Sequence, residues 1–315
     1  MRVRSVVSLL MANAILFSPV DAAAQPIASQ SQQPPLTFHG YAVLNHADGI
    51  SLDTIADNVT QTPKRGEDWY ADLAAGAQFQ KRLGVSSGIL FVYDITYREY
   101  NINHDYNQLS NKVTLETIFV AGPFGHTVGI YADVAHLGDD ISHYSDTYGF
   151  NWNITKPIAK QTDLSLALST WNMDYINATS TDGIGGKAAA SLSYRPKERP
   201  YSFVLKADYS HFEAEAATYC YDLVGASLAV NYLLSPKDNL SFSLSGRHFD
   251  YEGFDTIQTG LRRDDDILAA SLGYRRMLGN KVSVNAAISY QQTNSNIQRF
   301  DYDSHRVSLG IRKNF

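Results

Sequence analysis

The residues best equipped for chemistry are the nine histidines, one cysteine and a run of acids. His248 and Asp250 stand two apart, which in an extended chain puts them on one face of a strand near a loop, and His143 and His211 fall at the ends of other strand-like runs. A base oriented by a carboxylate is half of a hydrolytic site; the other half is a nucleophile or an activated water within hydrogen-bonding reach. No spacing in the chain selects such a partner, so no catalytic residue is assigned and the protein is not expected to be an enzyme. Asp264, Asp265 and Asp266 form a continuous run without the alternating ligands and later Glu of a calcium loop. Cys220 stands alone, which excludes an internal disulfide and a cysteine-based metal site. No Gly-rich phosphate loop joins a strand to a helix. Neither a metal nor a cofactor is expected.

The elements that must position these groups follow from patterning. Residues 1–24 place Arg2 and Arg4 ahead of an apolar stretch from Val6 to Phe17, with Ala22-Ala23-Ala24 at the exit. That is the form of a secretory signal peptide rather than a membrane span. Residues 25–35 read as a short periplasmic stub, and residues 36–315 as one large domain. The formal net charge of −6 gives no basic stripe for a nucleic-acid partner. Nowhere after the leader is there an apolar run near the roughly 20 residues that a spanning helix requires.

Alternation at period two takes the place of long apolar runs. Ile89, Phe91, Tyr93, Ile95 and Tyr97 oppose Leu90, Val92, Asp94, Thr96 and Arg98; Val128, Ile130, Ala132 and Val134 oppose Thr127, Gly129, Tyr131 and Asp133; Val282, Val284, Ala286, Ile288 and Tyr290 oppose Ser283, Asn285, Ser289 and Gln291. Each is a strand with one apolar and one wet face. About fourteen such runs follow Leu36, the even number that a single-chain bacterial barrel has. Leu164, Leu166 and Leu168 share one phase while Trp171, Met173 and Tyr175 share the other, which suggests a bulge or a loop start. Short turns near Ala121–Phe124, Lys156–Lys160, Pro196–Pro200, Ser235–Asp238 and Leu278–Lys281 alternate with longer polar connections. The pattern predicts an all-β fold: a transmembrane, antiparallel, up-and-down β-barrel in the bacterial outer membrane, with short turns on the periplasmic side.

Charge divides the same way. Lys81, Arg82, Lys156, Lys160, Lys197, Arg199, Lys237, Arg276 and Lys281 belong to the short-turn side, whereas Asp139, Asp140, Glu213, Glu215, Asp222, Glu252, Asp255 and Asp264 to Asp266 are expected in the long loops. Ionised groups cost kcal/mol on the lipid face at mid-membrane, so Asp94, Arg98, Lys112, Glu116, Asp133, Lys206, Asp208 and Arg247 must face the lumen. Hairpin pairing brings Asp94 near Lys112, and Asp208 near Lys187. These residues are the candidate lumen lining, either as ion pairs bracing the wall or as a polar conduit.

The last strand closes on an aromatic carboxyl terminus. Val307, Leu309, Ile311 and Phe315 alternate with polar residues, and Ser308, Gly310 and Phe315 match the pattern by which outer-membrane barrels are recognised for insertion; Lys313 departs from it. From Gly260 onward, an Arg-Asp strand entry, Ser295-Asn296-Ile297, a Tyr within Asp301-Tyr302-Asp303 and the closing Arg306-Val307-Ser308-Leu309-Gly310 strand resemble the surface lipoprotein assembly modifier family. The resemblance implies a barrel that helps move lipoproteins or secreted proteins to the cell surface. Members of known role carry a helical tetratricopeptide-repeat domain before the barrel, whereas Gln25 to Pro35 is too short for one repeat. The expected partners are outer-membrane lipids, the barrel-assembly machinery and an exported lipoprotein or secreted protein. A passive channel for small solutes and an adhesive or structural surface protein are the alternative functions.

Overall fold

The computed structural model describes residues 36–51, 65–176, 179–197, 199–255, 260–279 and 281–315. The expected signal peptide and stub, residues 1–35, lie outside the described residues. The alternating runs form β1 (Leu36–Ser51), β2 (Arg65–Arg82), β3 (Ser87–Tyr100), β4 (Gln108–Ala121), β5 (Phe124–Leu137), β6 (Ser142–Ala159) and β7 (Thr162–Tyr175). They continue as β8 (Gly183–Tyr194), β9 (Tyr201–Ala214), β10 (Tyr221–Ser235), β11 (Asp238–Phe254), β12 (Arg262–Gly279), β13 (Val282–Ser295) and β14 (Tyr302–Asn314). Each strand pairs with its sequence neighbours, and β1 pairs with β14 from His39↔Asn314 to Asp48↔His305, so the sheet is a closed fourteen-stranded barrel without an edge.

Exposure confirms which face is which. Leu44, Leu115, Ile130, Leu168, Leu205, Leu272 and Leu309 are 45 to 60% exposed, the inverse of a soluble protein, because their solvent is the hydrocarbon of the bilayer. The residues between them carry hydroxyls, amides and charges to the inside. Longer connections at the opposite end from the short turns hold single 3-10 turns at His104–Tyr106, Thr179–Thr181, Ala217–Tyr219 and Gln298–Phe300.

Two expectations are corrected. β7 contains no bulge: it pairs without a register break from Thr162 to Met173 against β8, and from Thr162 to Tyr175 against β6 with one irregularity, in β6 between Pro157 and Ala159. Trp171, Met173 and Tyr175 point inward in the ordinary phase of the strand, because the outer end of the lumen is packed with aromatics rather than open to water. Glu213, Asp222, Glu252 and Asp264 to Asp266 are strand residues, not loop residues. The strands are 12 to 18 residues long, against the ~10 that cross the hydrocarbon, so their outer ends project beyond it and bear charge on the outside.

Candidate functional site

The candidate lumen residues lie on the inward face of several walls. Asp94 is directly opposite Lys112 in the β3–β4 register, and its carboxylate meets His39 Nε2 at 3.0 Å. Lys112 is opposite Asp133 across β4–β5 and places its ammonium 4.7 Å from the Tyr131 ring. Asp133 accepts a hydrogen bond from Ser110 Oγ at 2.6 Å, and Glu116 accepts one from Asn151 Nδ2 at 3.4 Å. Lys187 Nζ lies 2.6 Å from Asp208, as the hairpin argument requires. Lys206 sits between Ser191 and Ser227 on the neighbouring strands, and Arg247 between Gly225 and Ile267.

Arg98 belongs to a network that reaches the barrel's closing seam. Its Nε and Nη2 donate to the two Asp72 oxygens at 2.6 and 3.1 Å; Asn45 Nδ2 donates to Asp72 at 3.1 Å; Ser308 Oγ donates to Asn45 Oδ1 at 2.7 Å. This chain links β3, β2, β1 and β14, and Asn45 and Ser308 are both buried. Sequence reasoning missed Asp72 and Asn45, although both stand in the inward phase, opposite Leu73 and Leu44. The remaining terminal-strand residues also serve the seam. A Cβ on Gly310 would lie 2.8 Å from both Val43 and Asn285, and Phe315 N donates to Phe38 O at 2.8 Å. Lys313 Nζ stands 4.8 Å from the Phe315 ring, at the periplasmic margin where a lysine can reach toward headgroups.

Aromatic residues narrow the outer end. Tyr221 lies among Phe212, Phe249 and Tyr251 with ring centroids 5.4 to 5.8 Å away, beside buried Trp171. The Arg263 guanidinium is held between the Tyr251 ring at 4.6 Å and the Phe300 ring at 3.5 Å. On the other wall Tyr70 packs on Tyr100 beneath Arg98. Cys220, a lone thiol in the sequence, is buried and bonded to the Ala214 backbone.

Three of the histidines, His143, His211 and His248, face outward near the outer rim. His248 Nδ1 lies 3.0 Å from Asp266, His211 Nδ1 lies 3.1 Å from Asp222, and His143 Nε2 lies 2.9 Å from Asp146. Among the described residues none of these three hydrogen-bonds a Ser, Thr or Cys. His248 pairs with the acids of β12 and not with Asp250, which is held by Arg262 at 3.3 Å. Two groups, His211 with Asp222 and Glu252, and His248 with Asp264 and Asp266, bring metal-ligating atoms within 4.8 Å of one another. Their imidazole and carboxylate donors are of a kind that suits a first-row divalent ion.

A closed barrel with a polar inner wall, an apolar belt and a C-terminal strand ending on Phe is the setting for comparison with known proteins. The family model for the surface lipoprotein assembly modifier matches residues 48–315. The chain belongs to the surface lipoprotein assembly modifier family. As a member of that family with this fold, it is an outer-membrane barrel involved in surface lipoprotein assembly. The outer membrane channel DcaP of Acinetobacter baumannii superposes with a TM-score of 0.53 at 11% identity, over 89% of this chain and 96% of that one. In-vitro folded OmpT, an outer membrane protein of Vibrio cholerae, gives 0.51 at 9% identity, over 90% and 99%. Identities this low speak for the shared fold alone. No curated protein matches the chain.

Proposed function

We propose that this assembly modifier barrel assists the export of a lipoprotein or secreted protein to the cell surface, without catalysing a reaction. The observation that carries the reading is the family match over residues 48–315, which covers the whole of the charged lumen wall from Asp72 to Arg312. A wall bearing both signs of charge, with its ion pairs already satisfied at Arg98–Asp72 and Lys187–Asp208, offers a passing polypeptide hydrogen bonds without a strong trap for either sign. The terminal strand, with Ser308, Gly310 and Phe315, serves the barrel-assembly machinery as its recognition element. The test is the protease accessibility of surface lipoproteins in intact cells of a deletion strain. Export through this protein predicts that at least one becomes inaccessible and is restored by the complementing gene; unchanged accessibility of all of them sinks the reading.

The polar lumen also favours a second reading, a passive channel for small solutes. The purified barrel in a planar bilayer then shows steady ohmic conductance; a closed lumen under all conditions counts against it.

A further inference from the structure

The waist of the lumen carries opposite charge on opposite walls. Asp94, Lys112, Glu116 and Asp133 on β3 to β5, and Lys187, Lys206, Asp208 and Arg247 on β8 to β11, each lie five to nine residues from the periplasmic end of their strand. They therefore share one level, and β3 and β4 stand seven places around the ring from β10 and β11. Arg306, on β14 at the same level, stands midway between the two walls and belongs to neither.

Among the described residues the first wall holds three carboxylates and one ammonium at this level. Asp133 and Glu116 are bonded by Ser110 and Asn151, which bring no charge, and Lys112 lies opposite both Asp94 and Asp133. Arg98, farther along β3, is committed to Asp72. The second wall reverses the balance, with three cations and one carboxylate. Asp208 is held by Lys187 at 2.6 Å, and it is the carboxylate whose charge reaches Lys206 and Arg247, neither of which makes a hydrogen bond or ion pair among the described residues.

Distance decides what meets both walls. Strands ~4.8 Å apart and tilted ~40° close fourteen-fold at a backbone diameter of about 28 Å, and side chains of ~6 Å on each wall leave a gap of about 16 Å. A single amino acid or other small zwitterion is too short to reach across. An extended polypeptide is long enough, since its successive side chains point to opposite sides. The excess on each wall is a charge or two facing a lumen that admits water, enough to orient a passing chain and too little to hold it.

We propose that the waist sorts the side chains of a polypeptide in transit, basic ones toward β3 to β5 and acidic ones toward β8 to β11. The proposal rests on the export reading for its occupant and adds how that occupant is oriented.

Charged peptide probes test it on the purified barrel in detergent. Thr114→Cys lies on the first wall between Lys112 and Glu116, and Ser227→Cys lies on the second, opposite Lys206; the parent barrel, whose Cys220 is buried, gives the background. Each thiol is reacted with a short peptide bearing an activated disulfide and two lysines, two glutamates or two glycines. The ratio of the lysine-probe rate to the glutamate-probe rate cancels the reactivity of the thiol itself. At low salt it should be about ten-fold higher at Thr114→Cys than at Ser227→Cys, and the difference should collapse in about 1 M salt. Lys206→Gln with Arg247→Gln should bring the ratio at Ser227→Cys to that of a free thiol, and Glu116→Gln with Asp133→Asn should do so at Thr114→Cys, each barrel being first shown to fold by heat-modifiable migration. Equal ratios at the two positions, a difference that survives high salt or the neutralised walls, or a glycine probe that reaches neither thiol would overturn the proposal. Unchanged lipoprotein accessibility in the deletion strain sinks the export reading and leaves these rates as they are, so the two failures are distinguishable.

Discussion

Asp72 gathers three donated hydrogen bonds, two from Arg98 and one from Asn45, on the inner surface of the barrel. Removing one partner of a buried pair costs more than the pair contributes, since the other charge is left without compensation. Asp72→Ala is expected to destabilise the barrel by about 3 kcal/mol, the low end for a buried pair because the lumen admits some water. Asn45→Ala deprives Ser308 of its acceptor and should cost about 1–2 kcal/mol. The urea midpoint of the refolded barrel reports both, and an unchanged midpoint for Asp72→Ala would remove the network from the account. Sequence patterning puts Arg98 on the inner face but could not name its partner. Strand phase says which face a residue occupies, whereas the partner across the sheet depends on register. Asp94 shows the same limit: its position opposite Lys112 follows from the hairpin, but its contact with His39 reaches across to β1.

At the scale of strands, the inner wall is keyed by aromatic rings lying over glycines. Trp171 covers Gly185, where an added Cβ would stand 2.1 Å from the indole, and Tyr131 covers Gly149, where it would stand 2.3 Å from the ring. Gly186, one residue on and facing outward, has nothing within 4 Å. Gly185→Ala should therefore cost about 1–3 kcal/mol by overpacking, while Gly186→Ala should be nearly neutral; equal urea midpoints for the two variants would contradict the keyed packing. The terminal strand carries a separate prediction. Deleting Phe315 removes the backbone N–H that meets Phe38 and the ring beside Lys313. Insertion in cells, followed by heat-modifiable gel migration, should fall further than for any lumen substitution; normal assembly of the truncation would refute its role as a recognition element. Strand number, order and inward phase were legible because lipid and lumen impose opposite chemistry on alternate residues. The outer ends were not, since beyond the hydrocarbon neither face is compelled to be apolar: the acids of β9 to β12 resembled loop residues, and Trp171 resembled a register slip.

Across the whole molecule, charge is sorted by direction as well as by end. Outward positions near the outer rim hold His46, His211, His248 and His305 against carboxylates, inward positions hold most of the arginines of the outer half, and the periplasmic turns are lysine-rich. The lumen is thus the surface on which a polypeptide would meet Lys112, Arg247 and Arg306, and the outer wall is the surface on which lipid meets Val113, Leu115 and Leu205. The central claim is that the inner wall handles an exported lipoprotein. Its most direct measurement is photo-crosslinking in intact outer membranes, with the reactive residue placed at inward Lys112 or, as the control one position along β4, at outward Val113. The account predicts a covalent adduct with a surface lipoprotein from Lys112 and none from Val113; lipoprotein adducts from Val113 alone, or from neither position while the lipoproteins reach the surface, would contradict it.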